Sequence, residues 1–284
     1  MSVRLAAVSY LNARPLTHVL ESEPGPFELA YAVPSRCAVD LHAGRADLGI
    51  IPSIEYARGP EPYAIVPDRA IAAWGPVLTV RLYVPGPLER VRRVALDTSS
   101  RTSAALVRIL LRERYHLQPA FVDAAPDLEA MLCRADAALL IGDAVFRYGE
   151  RVCPSIDLGE AWFQLTGLPF VLALWAGRPS ALDPVQAAAL VQAGLRGEAQ
   201  APEIALRFSH EHPDLHLPPA FFERYLTRHI GYELGPAELG GLRTFYALAQ
   251  RHGLIRAIPS LRFYPVAAGA ATREPAAATG DPWA

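Results

Sequence analysis

GRADLGIIPS, residues 44–53, decides how this chain is read. Arg45-Ala46-Asp47 closes a helical pattern, an apolar run of strand length follows, and Pro52-Ser53 ends the run in a polar tip. The same plan returns in CRADAALLIGDA, residues 133–144, with its own Arg-Ala-Asp, apolar strand and polar tip, Gly142-Asp143. A repeat of this kind predicts two similar α/β lobes, each offering a strand tip at one rim. Ligands of open α/β sheets gather beyond the carboxyl ends of the strands. Function is therefore expected in a cleft between the lobes.

The rest of the chain fits around that pair. RLAAVSYL reads as a first strand, PLTHVLES as a helix entered at Pro15, ELAYAVP as a second strand, and CAVDLHAGR as a short helix closed by Gly44. YAIVPDRAIAAWGP and VLTVRLYVP are further strands. The second unit runs through RVALDTSSRTSAALVRILLRERYHL, a strand, a polar turn and a long helix, then PAFVDAA, PDLEAMLCRA and DAALLIGDA. PFVLALWAGR reads as a wholly buried strand, and Pro184 to Arg256 as helical throughout. Segments near Val77–Pro85 and Pro169–Trp175 are expected to cross between the lobes. The expected division is residues 1–84 with 176–265 as the first lobe and 85–175 as the second. A disordered, Ala/Pro/Gly-rich tail is expected over 266–284.

Composition removes several function classes. A net charge of −2 gives no basic field for a nucleic-acid backbone. All 27 basic residues are arginine, so a lysine Schiff base and a Walker-type phosphate loop are both excluded. Cys37, Cys133 and Cys153 are sparse and widely spaced, which suits a reducing compartment and argues against both a disulfide framework and a structural zinc. No apolar run reaches membrane-spanning length, and the first one, Leu5–Val8, is too short for a secretory signal. A cytoplasmic protein without cofactor or membrane contact is expected, and a homodimer is compatible with the sequence.

Four polar tips would face the cleft: Ser9-Tyr10-Leu11-Asn12, Pro52-Ser53-Ile54-Glu55-Tyr56, Thr98-Ser99-Ser100-Arg101-Thr102-Ser103, and Gly142-Asp143. The third is the most informative. A helix start carries unpaired N–H groups and partial positive charge. One hydroxyl suffices to cap it, whereas this turn offers several together with Arg101. A small carboxylate is the expected ligand, because no glycine-rich loop is present for a polyphosphate. Asn12 brings two donors and an acceptor, and standing alone it reads as a turn or helix cap. Asp143 reads equally as a cap, and Glu55 as a surface residue. The eight histidines show no metal-ligand spacing, and no G-x-S-x-G elbow exists. The residues alone thus reach a two-lobed, metal-free α/β clamp for a small organic anion.

Taken together and in this order, SYLNARPL, GRADLGIIPSIEY, DTSSRTSAALVRILL, LLIGDA and DLGEAWFQLTGLPFVLALW resemble the chorismate dehydratases of menaquinone biosynthesis by the futalosine route. The resemblance spans roughly Val3 to Arg256. It implies a type II periplasmic-binding-protein fold used as a cytoplasmic enzyme. The implied reaction converts chorismate to 3-[(1-carboxyvinyl)oxy]benzoate and water without a cofactor. It further implies that Ser99, Ser100, Thr102 and Ser103, with Arg101, bind a carboxylate, and that Asn12 contacts the reacting ring or its leaving hydroxyl. Ser9, Ser53 and Gly142 would add contacts. Asp143 would orient Asn12 or assist proton transfer, with Glu55 or the substrate's own side-chain carboxylate as competing bases. Trp162, Thr166 and Pro169 would line the hinge side. Two alternatives remain at this level. One is the sister enzyme 1,4-dihydroxy-6-naphthoate synthase, expected to carry a histidine base over its cleft. The other is a non-catalytic binding protein for a small carboxylate.

Overall fold

The computed structural model describes residues 2–149 and 152–267. Among the described residues eleven strands form two sheets: β1 (Val3–Val8), β2 (Phe27–Ala32), β3 (Leu48–Pro52), β4 (Ala64–Ala73), β5 (Val80–Tyr83), β6 (Arg93–Asp97), β7 (Ala120–Ala124), β8 (Ala137–Ile141), β9 (Ser155–Asp157), β10 (Phe170–Gly177) and β11 (Gly231–Leu234). The six-stranded sheet has the order β11-β4-β10-β3-β1-β2, and the five-stranded sheet β7-β6-β8-β5-β9. Each sheet belongs to one lobe of a two-lobed α/β fold.

The repeated Arg-Ala-Asp motif is the same structural device in both lobes. In the first, β1 and β3 run parallel with Leu5 opposite Leu48. Asp47 donates its N–H to Arg4 O at 2.9 Å, and its carboxylate accepts the Arg4 N–H at 3.0 Å. In the second, β6 and β8 run parallel with Val94 opposite Ala137. Asp136 donates to Arg93 O at 3.0 Å and accepts the Arg93 N–H at 2.8 Å. Each aspartate therefore locks the register of a central parallel pair at its base. The carboxyl tips of β1, β3, β6 and β8 then emerge together at the opposite end.

The strands at these centres are apolar on both faces, as parallel strands covered on both sides should be: β3 and β8 are buried along their whole length. The connections between sheets run through residues 74–79 and 158–169. Accordingly β5, counted above with the first lobe, hydrogen-bonds to β8 and β9 in the second sheet. Residues 170–175, counted with the second, pair as part of β10 with β3 and β4 in the first.

Two elements depart from the sequence reading. The stretch Pro184–Arg256, expected to be helical throughout, contains β11, which pairs with β4. Its four residues sit between a helical segment and Gly235-Pro236, too short for alternation to register as a strand. The strand β4 runs through Pro67-Asp68, where a break would be expected. It does so by a bulge: Ile65 and Ala70 face Ala176 and Leu174 of β10, so extra residues loop out on the β4 side. Asp68 takes a positive φ of 62° there. Of the tail expected from residue 266, Ala267 donates to Pro184 O at 3.0 Å, and residues 268–284 lie outside the described residues.

Candidate active site

The site grows from the end of β1. Beyond Val8 the chain turns through Tyr10 into a single 3-10 turn, Leu11–Ala13, that leads into the helix Arg14–Ser22 with Pro15 in its first turn. The Leu11 N–H has no partner within this turn. It points across to the second lobe, where both oxygens of Asp143 accept it at 3.1 Å. Asn12 is held next to that contact. Its Oδ1 is buried and has no hydrogen-bond partner among the described residues. A buried polar atom left in this state costs on the order of 1–3 kcal/mol, which a ligand donor would recover.

The second lobe contributes the turn after β6. Burial raises the pKa of Asp97, and its carboxylate accepts from Ser99 Oγ at 2.6 Å, Ser99 N at 2.8 Å and Ile141 N at 3.2 Å. Ser99 Oγ in turn accepts the Tyr10 hydroxyl at 3.0 Å, so a chain Tyr10–Ser99–Asp97 joins the lobes. Burial pushes the Tyr10 phenol up to about 12, keeping it protonated and a donor. Ser100 Oγ caps the helix Thr102–Glu113 by accepting the Ser103 N–H at 3.2 Å. Thr102 Oγ1 accepts the Ile54 N–H at 3.2 Å, again across the lobes. The Ser103 hydroxyl has no partner among the described residues and remains available to a ligand.

These groups line a cleft between the two sheets with about 460 Å³ of space free of protein atoms, part of it open to solvent. Asn12, Ser100, Thr102, Ser103 and Gly142 all line it. Gly142 is required at its position. Its φ is +69°, and a Cβ there would come within 2.6 Å of the Tyr10 ring. The described lining contains no Asp, Glu, His or Arg; its polar groups are hydroxyls and one amide, and its walls include Ile71, Val80 and Leu172.

The remaining expected residues lie elsewhere. Ser9 is exposed and its N–H donates to Ala32 O at 3.0 Å. Ser53 is buried behind the cavity and donates to Val171 O at 2.8 Å. Ser99 supports Tyr10 from the rear. Arg101 turns away and pairs with Glu55 at 2.6 Å; Glu55, a buried carboxylate, is also held by Arg58 at 3.2 Å. Thr166 donates to Trp162 O at 2.9 Å, and Pro169 O accepts the indole N–H of Trp162 at 3.2 Å, so these three form hinge-side packing. Asp143 lies behind Leu11, outside the cavity lining. Desolvation of its carboxyl raises its pKa to about 7, against the lowering pull of the Leu11 N–H and Arg14. Sequence reasoning did not single out Tyr10 or Thr79 as lining residues. Tyr10 was visible inside a polar tip, whereas nothing in the sequence marks Thr79, which reaches the cavity from the crossing between sheets.

A family model described as menaquinone biosynthesis matches residues 3–251. The chorismate dehydratase of Thermus thermophilus is 32% identical over 254 residues, covering 83% of this chain and 91% of that protein. The chorismate dehydratase of Campylobacter jejuni is 32% identical over 173 residues, covering 58% of this chain and 63% of that protein. Among solved structures, a structural-genomics protein from Archaeoglobus fulgidus superposes with a TM-score of 0.74 at 18% identity, covering 89% of this chain and 98% of its own. The periplasmic aliphatic sulphonate binding protein SsuA from Escherichia coli gives a TM-score of 0.63 at 14% identity, covering 99% of this chain and 97% of its own. At such identities the likeness to solved structures is one of fold.

Proposed function

Because the chain belongs to the menaquinone biosynthesis family, we propose that it is a chorismate dehydratase, a hydro-lyase that forms 3-[(1-carboxyvinyl)oxy]benzoate in the cytoplasm on the futalosine route. The observation that carries this reading is the inter-lobe cavity, whose polar groups are the hydroxyls of Ser103 and its neighbours and the unpartnered Asn12 Oδ1. In this reaction the C–H bond at the ring carbon bearing the enol ether breaks, and its electrons become a ring double bond. The neighbouring C–O bond breaks with them, and the departing hydroxyl leaves with a proton as water. No electrons are gained or lost overall, and aromatisation drives the step.

The residues suit that chemistry. One substrate carboxylate sits at the start of the helix Thr102–Glu113, against Ser103 and the helix N–H groups. Asn12 Oδ1 accepts a hydrogen from the leaving hydroxyl and so fixes its direction relative to the C–H bond. Asp143 acts through the backbone, holding the Asn12 turn by the Leu11 N–H. No carboxylate or imidazole of the described lining stands ready as base. This supports the substrate's own side-chain carboxylate as the proton acceptor, and it weighs against the histidine-dependent sister enzyme. The mainly apolar walls exclude water and competing rearrangements.

Asn12→Ala tests the assignment. It is expected to lower kcat on chorismate by on the order of 100-fold, with the fold intact by circular dichroism. Full activity with unchanged KM would remove Asn12 from the mechanism.

A further inference from the structure

Directly after the helix Pro219–Arg224 the chain winds through one π-helical stretch, Tyr225–His229. Such turns are unusual and often mark functional positions. This one delivers Tyr225 into the interior, where its ring meets Phe146 of the second lobe edge-on, with centroids 5.2 Å apart and planes at 88°. Phe146 also packs against Phe208, Phe221 and Phe222, so the ring is fixed by aromatic neighbours. The Tyr225 hydroxyl lies 2.7 Å from Thr79 Oγ1. Thr79 sits where the chain crosses from one sheet to the other, lines the cavity, and accepts the Gly142 N–H on its carbonyl at 2.9 Å.

The direction of this hydrogen bond follows from what each hydroxyl can reach. Tyr225 is buried, its proton held firmly by burial, and its hydroxyl has no other partner among the described residues. If Thr79 donated to Tyr225, the phenolic proton would be buried unpaired, at a cost comparable to a lost hydrogen bond. Tyr225 therefore donates and Thr79 Oγ1 accepts. The hydrogen of Thr79 must then point elsewhere. Its protein alternative, Val77 O, is 3.4 Å away, long for a hydroxyl donor. We propose that Thr79 is a further substrate-binding residue, donating to an anionic or hydroxyl oxygen of the ligand, and that Tyr225 is the positioning residue that turns its hydrogen into the cavity. The assignment rests on the reading of this cavity as the chorismate site. It gives the substrate a third point of attachment, at the crossing between lobes, besides the Asn12 turn and the helix start at Thr102.

The test compares Thr79→Val, Thr79→Ser, Tyr225→Phe and the Thr79→Val/Tyr225→Phe double variant by steady-state kinetics and by calorimetric titration with chorismate. Thr79→Val is expected to lower kcat/KM about tenfold or more, and Thr79→Ser to stay within about threefold of wild type. Tyr225→Phe should lower kcat/KM at least about threefold in the wild-type background and have no further effect once Thr79 is Val. Equal kcat/KM for wild type and Thr79→Val, or an undiminished Tyr225→Phe effect beside Thr79→Val, overturns the inference and leaves the dehydratase reading standing. If wild type binds chorismate without converting it, the dehydratase reading falls. The same variants then decide the inference through their dissociation constants. A wild type that neither binds nor converts chorismate overturns both. Should Thr79→Val fail to fold, Tyr225→Phe, which removes one buried hydroxyl at nearly constant volume, decides alone: unchanged kcat/KM and affinity overturn the inference.

Discussion

Asp143 shows how a single side chain ties chemistry to stability. Its carboxyl is partly buried, faces the Leu11 N–H, feels Arg14, and holds its proton up to about pH 7 rather than the ordinary 3.8. In the unfolded chain it would release that proton near 3.8. Between the two values the folded state binds more protons, so stability falls as the pH rises through this window. Asp143→Asn removes the effect. Melting temperatures measured from pH 4 to 7.5 should show wild type losing stability relative to Asp143→Asn as the pH rises; parallel curves would contradict the assignment. Residues of this kind were only partly legible. Asn12, Ser100, Thr102, Ser103 and Gly142 stood out because a strand tip carried more hydrogen-bonding groups than capping needs, and all five line the cavity. Ser53, Ser99 and Arg101 belonged to the same tips, yet each is taken up by a partner: Val171 O, the Tyr10–Asp97 chain and Glu55. Type and spacing place a side chain at a tip. They do not say which way it points once a neighbouring lobe supplies competing partners.

Among elements, the Arg-Ala-Asp repeat was the most legible feature. It marks equivalent strand pairs, β1–β3 and β6–β8, closed at their bases by the same pair of hydrogen bonds, one from the aspartate N–H and one to its carboxylate, at Asp47 and Asp136. Less legible were elements shaped by packing against distant partners. The strand β11 exists because β4 offers it an edge, and β4 crosses its own Pro67 because β10 accommodates the bulge. Helix packing shows a similar dependence on partners. The helix Pro184–Ala199 lies against Arg14–Ser22, the helix that continues from the Asn12 turn. Gly197 makes the approach possible, since a Cβ there would collide with the carbonyl of Pro15. Gly197→Ala is therefore expected to cost about 1–3 kcal/mol in urea unfolding, by forcing the two helices apart. A neutral or stabilising effect, as at an exposed helical glycine, would show that the helices are not held at this distance.

The whole molecule is a clamp seen with its rims in contact. Tyr10–Ser99, Leu11–Asp143, Ile54–Thr102 and Glu55–Arg101 all join one lobe to the other around the cavity. The aromatic cluster centred on Phe146 joins them a second time. A ligand the size of chorismate reaches such a site by hinge opening, with 74–79 and 158–169 as the connecting segments. At this scale the sequence was most informative. Two α/β units with strand tips at a shared rim follow from motif order alone, and the solved structures that superpose share that architecture. The central claim is that this clamp removes water from chorismate. It is tested most directly by incubating the purified wild-type protein with chorismate, without added cofactor, and identifying the product by chromatography and mass spectrometry. The account predicts one aromatic product lighter than chorismate by one water, with the enol-ether side chain intact. Recovery of unchanged chorismate, or of products that have rearranged or lost the side chain, would contradict it.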